Sequence, residues 1–73
     1  MRIYKPRLKP QNEKEIGLPC RVYYENEDTW FLARIAEYDS INMRHKVVYV
    51  QNAQAEWINV NDERIELAEE NAI

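Results

Sequence analysis

Glycine is almost absent from this chain of 73 residues; Gly17 is the only one. A phosphate-cradling loop needs several, so Gly-rich nucleotide sites are excluded. Cysteine also occurs once, at Cys20, which rules out an internal disulfide and a cysteine-rich zinc set. A lone thiol in an apolar run fits a reducing compartment and reads as a small buried hydrophobe. The single histidine, His45, stands in a basic stretch at the head of an apolar run. Paired with Cys20 it would still lack a third, orienting group, and the carboxylates fall in turns, where charges are solvated. These absences argue against an enzyme, and no cofactor or metal is implied. No apolar run approaches the ~20 residues of a membrane span. The basic N-terminus is not followed by the apolar segment of a signal peptide.

Charge is present in quantity but unevenly placed. Residues 1–14 carry Arg2, Lys5, Arg7, Lys9 and Lys14 against Glu13, a net of +4. Residues 15–73 carry 5 basic and 12 acidic side chains, a net of −7. An acidic body attracts cationic partners, such as a basic protein tail, rather than bare nucleic acid. The basic arm is a separate element, which can touch nucleic-acid phosphates through Arg2, Lys5, Arg7 and Lys9 or stay solvated.

Residues 1–15 contain Pro6 and Pro10 and read as an extended arm. Gly17 and Pro19 mark a turn, and residues 20–24 then read as a strand. Further strands follow at residues 30–39, 45–50, 55–60 and 64–67, separated by polar turns. The turn at residues 61–63 has the composition of a single helical turn, and residues 68–73 read as a short tail or frayed helix. Alternation puts Cys20, Val22 and Tyr24 on one face of the first strand, with Arg21 and Tyr23 on the other. In the second, Phe31, Ala33 and Ile35 share a face and Trp30 lies opposite. Val47 and Tyr49 share a parity in the third. Five short strands in so few residues predict an all-β domain. A small, strongly bent antiparallel barrel over residues 16–67 is the economical form, because closure removes sheet edges.

The segments "RVYY", "DTWFLARI", "EYDS", "KVVYV", "AEWINV" and "ERIEL" occur in an order that resembles the Tudor-like domains of the Royal superfamily, and the chromo-barrel branch is similar. No Pro-Trp-Trp-Pro motif is present, which disfavours a PWWP domain. The resemblance covers about residues 16–67. It implies an SH3-like five-stranded barrel that reads methylated lysine or arginine through an aromatic cage, in a nuclear chromatin protein. Methylation keeps the lysine charge but makes the head group larger and less hydrated, so ring faces attract it.

By resemblance, the cage rings are Tyr24, Phe31 and Tyr49. All three share the parity of the inward apolar residues of their strands. Asn52 and Gln54 occupy the loop where relatives place a further aromatic and a polar residue, and would shape the pocket. That loop, "VQNAQ", lacks the family's glycine and carboxylates. Glu25 and Asp28, with Glu27, lie between two cage rings and are candidate acidic contacts, set against the plain alternative of a solvated loop. Trp30 is expected on the outer barrel surface, Trp57 is expected to close one barrel end, and Tyr23 and Tyr38 are expected to be structural or peripheral.

The function so implied is a chromatin reader that binds a methylated lysine on a histone tail, alongside other subunits of a chromatin complex. Alternatives stay open: a degenerate barrel that binds an unmodified protein or nucleic acid, or a methylarginine reader.

Overall fold

A computed structural model describes residues 8–69. The strands are β1 (Pro19–Tyr24), β2 (Thr29–Asp39), β3 (Arg44–Tyr49), β4 (Ala55–Asn59) and β5 (Ile65–Leu67). Two 3-10 turns, Glu13–Glu15 and Glu25–Glu27, precede β1 and join β1 to β2. All pairings are antiparallel, in the order β4-β3-β2-β1-β5.

The sheet is strongly bent. Ile58 of β4 and Ile65 of β5 lie on opposite edges yet share one core cluster with Val22, Ile35 and Val47. In a flat sheet four strand spacings would hold them about 19 Å apart. The result is a small barrel-like fold whose interior follows the alternation of the sequence. His45, Val47 and Tyr49 are buried along β3, Ala33 and Ile35 along β2, and Cys20 and Val22 along β1. Each large aliphatic chain so buried contributes roughly 1.5–3 kcal/mol.

One residue breaks the alternation. The β2–β3 register runs Ile35↔Val47, then Glu37↔Lys46, so Ala36 is an extra residue in β2. Such a bulge bends a strand and resets its faces. Beyond it Tyr38, not Glu37, meets the His45 ring, at 4.6 Å between centroids. The following turn is organised by Asp39, whose carboxylate accepts from the backbone N–H of Ile41 (3.0 Å) and Asn42 (3.2 Å) and from the Asn42 side chain (2.8 Å). The Asn42 contacts, side chain first, hold the Asp39 carboxyl below its usual range.

Several expectations need correction. Residues 8–15, read as part of an extended arm, pack on the barrel. The Leu8 carbonyl accepts from Leu67 N–H at 2.6 Å, and Pro10 is fully buried. Asn12 and Glu15 form a capping box around the first 3-10 turn. His45, read as a member of a basic stretch, is a wholly buried β3 residue; its Nε2 lies 2.9 Å from the Asn12 carbonyl. Trp57 does not close a barrel end. It is 39% exposed on the outer face of β4, with the Arg44 guanidinium 4.7 Å from its ring centroid. The turn at 61–63 is not helical; Asn59 and Asp62 side chains accept from the backbone of Asn61 and Arg64. Arg2, Lys5, Arg7 and the end of the tail, residues 70–73, lie outside the described residues. Lys9 is ion-paired with Glu63 at 3.4 Å.

Candidate functional site: an aromatic cleft

Tyr24 ends β1 and Phe31 is the third residue of β2. The chain between them turns through the second 3-10 segment and through Asp28, whose φ of 46° is left-handed. Aspartate tolerates that conformation better than most residues. The turn is short, so both rings stay on the inner face at the same end of the barrel. Tyr49 reaches that end from β3; its Cα partner is Ala33, which in turn pairs with Cys20. These small neighbours leave space for the three rings.

The rings stand edge to face. Tyr24 and Phe31 are 5.1 Å apart at 82°, and Tyr24 and Tyr49 are 5.9 Å apart at 78°. Tyr24 is thus the central wall, Phe31 one side, and the largely buried Tyr49 the floor. They line a cleft of about 420 Å³ together with Glu27, Gln51, Asn52, Gln54, Ala55 and Glu56. Among the described residues, no lysine or arginine lines it.

Glu56 fixes the rings. Its Oε1 accepts from the Tyr49 hydroxyl at 2.7 Å and from the Tyr24 hydroxyl at 3.2 Å; the two hydroxyls are 3.0 Å apart. Its Oε2 takes an Arg64 N–H at 3.3 Å, while Arg64 also pairs with Asp62. Burial, and then the hydrogen bonds with Tyr24 and Glu56, push the Tyr49 phenol far above its ordinary range, so it remains a donor. Burial of Asp62 works against its ionisation, but Arg64 outweighs this and holds its carboxyl low.

Rings and carboxylates in this arrangement are chemically suited to a bulky, weakly hydrated cation. Ring faces supply quadrupole attraction at about 0.5–2 kcal/mol per good contact. Glu27 lies at the exposed rim of the cleft and adds negative potential.

No known protein-family profile matches the chain, and no solved structure matches it. Residues of the chain are 30% identical over 53 positions to the histone-lysine N-methyltransferase TRX1 of Oryza sativa subsp. japonica. The match covers 73% of this chain and 5% of the relative. The chain is therefore similar to one small segment of a much longer protein.

The fold brings Tyr24, Phe31, Tyr49, Asn52 and Gln54 to the lining of this one cleft. Glu25 and Asp28 are not in the lining. The left-handed turn points Asp28 to the other side, where it accepts from the Tyr23 hydroxyl at 2.5 Å. Tyr23 and Trp30 form a separate outer pair, 5.3 Å apart, with Arg21 4.8 Å from the Trp30 ring centroid. Of the three acidic candidates in the turn, Glu27 is the one that lines the cleft. The sequence analysis did not single out Glu56 and Gln51. Glu56 is on the inward parity of β4 with Ile58, and an acidic residue on an apolar face is the signal that marks it.

Proposed function

We propose that this domain is a non-catalytic, chromatin-associated reader that binds a methylated lysine of a histone tail, acting in the nucleus as a module of a larger chromatin assembly. One observation carries the reading: Phe31 and Tyr49, each nearly perpendicular to Tyr24, line with it a cleft whose only charged lining residues, among the described residues, are Glu27 and Glu56. That combination suits a bulky, weakly hydrated cation and repels phosphate. The similarity to a segment of a histone-lysine methyltransferase supports a chromatin setting. Gln51, Asn52 and Gln54 supply amide edges in place of a fourth ring.

The test is an NMR titration of the isotope-labelled domain with methylated and unmodified histone peptides and a short DNA duplex. Methylated peptides should shift the amides of residues 24, 31 and 49–56 selectively, and Phe31→Ala should abolish the shifts while leaving the folded spectrum intact. Equal responses to methylated and unmodified peptides, or a salt-steep response to DNA alone, would refute the methyl-reader reading.

A further inference from the structure

The two edges of the sheet are treated differently. At the β5 edge, Leu67 N–H is taken by the Leu8 carbonyl. Among the described residues no strand pairs with the outer edge of β4, and hydrogen bonds at both ends of the β3–β4 hairpin reveal which groups it presents. Tyr49 N–H donates to the Gln54 carbonyl at 2.8 Å, and Val60 N–H donates to the Met43 carbonyl at 2.9 Å. The register between them is unbroken, with Val47↔Glu56 and His45↔Ile58. Antiparallel pairing alternates, so Glu56 and Ile58 direct their backbone groups to β3, and Ala55, Trp57 and Asn59 direct theirs outward. The Asn59 carbonyl is taken by Asp62 N–H at 3.0 Å. Among the described residues, nothing accepts from or donates to the outward backbone of Ala55 and Trp57.

This edge also lacks the usual protection. β4 has no proline, lysine or bulge, although it is short. It is continuous with the cleft, since Ala55 belongs to both and Glu56 is the next residue along.

We infer that the β4 edge is a docking strip for the extended backbone of the peptide whose methylated side chain enters the cleft. The occupant is a basic, extended segment flanking the modified lysine. It adds as a sixth strand over Ala55–Trp57 and exchanges N–H···O=C bonds with these two residues. Charge supports this occupant, because residues 15–73 carry a net of −7 and the cleft where the strip begins has Glu27 and Glu56. The inference rests on the cleft reading and adds to it a sequence-tolerant, main-chain component of affinity.

The experiment compares two ligands on the intact domain: a trimethyl-lysine residue capped as its acetyl methylamide, and a histone peptide bearing the same residue. Both should shift the cleft signals. The peptide alone should slow hydrogen exchange at the Ala55 and Trp57 amides, by about tenfold or more at saturation. A scan of single backbone N-methylations along the peptide should then alternate, with every second position weakening binding by about 2–12-fold, the worth of one hydrogen bond. A uniform scan, or peptide binding without protection of Ala55 and Trp57, overturns the strip and leaves the cleft standing. Absence of cleft shifts with either ligand overturns both. Protection that rises with protein concentration and not with peptide assigns the edge to a second copy of the chain, which also overturns the inference.

Discussion

Replacing Glu56 by glutamine should loosen the ring frame of the cleft, and the size of the effect follows from its contacts. Oε1 serves two phenols and Oε2 serves Arg64. An amide cannot satisfy both sides. With oxygen toward the phenols, its NH₂ faces Arg64, donor against donor. With the amide reversed, the hydroxyl of Tyr49, a residue only 7% exposed, loses its charged acceptor. A hydrogen bond to a charged partner contributes about 1.5–3 kcal/mol. The Arg64 contact is partly solvated, with 41% and 33% of the two side chains exposed, and counts for about 0–1 kcal/mol. Glu56→Gln should therefore destabilise the domain by about 2 kcal/mol, or about 8–16 °C in Tm for a chain of this size. Urea and thermal unfolding followed by tryptophan fluorescence will measure it. Tyr49→Phe removes one partner and keeps the ring, so a double-mutant cycle should give a coupling of about 1–2 kcal/mol. Losses that add to within about 0.3 kcal/mol would show that the hydroxyl–carboxylate contact does not hold the frame.

Three further outcomes are expected. The folded state keeps the Tyr49 proton above the unfolded phenol pKa of about 10, so the unfolded chain binds fewer protons there and stability should fall as pH rises beyond it. Tyr49→Phe should flatten that fall in urea midpoints measured between pH 9 and 11. Ala53, with φ of 61°, sits in the left-handed region at the end of the β3–β4 loop. Ala53→Gly should relieve about 1–2 kcal/mol of backbone strain against about 0.4–1 kcal/mol of added unfolded-state entropy, raising stability by up to about 1 kcal/mol in urea melts. Cys20 is fully buried, and burial pushes its thiol up to about 12. A thiol reagent at pH 8 should modify it at the rate of unfolding, and fast labelling of the native domain would contradict its placement.

The inner faces of β1, β2 and β3 were legible because alternation is local. Val22 with Tyr24, Phe31 with Ile35, and Val47 with Tyr49 need only the two-residue period to be assigned. The placement of Asn52 and Gln54 beside the rings was implied by the resemblance rather than by alternation. What the sequence hid depends on distant contacts or on a single dihedral. Glu56 matters because β4 and β1 meet across the bent sheet. Asp28 turned away from the cleft through one left-handed residue. The packing of residues 8–15 required a carbonyl acceptor, from Asn12, to meet a histidine 33 residues later. Trp57 lies outside because Glu56 and Ile58 take the inner face of β4, a choice of side that the bend of the whole sheet decides.

The bulge at Ala36 constrains how this chain can change in length. Deleting Ala36 would leave Ile35, Glu37, Tyr38 and Asp39 in plain alternation against Val47, Lys46, His45 and Arg44, so a one-residue deletion here keeps the faces on both sides, whereas a deletion elsewhere in β2 has to be absorbed by the bulge. Length variation in the β2–β3 hairpin should therefore be tolerated at the bulge itself, or at Ser40–Met43 beyond the strand ends. Homologues that lack the extra residue would be expected to keep Tyr38 as the partner of His45, since the pairs from Ile35↔Val47 to Tyr38↔His45 form a regular ladder without it.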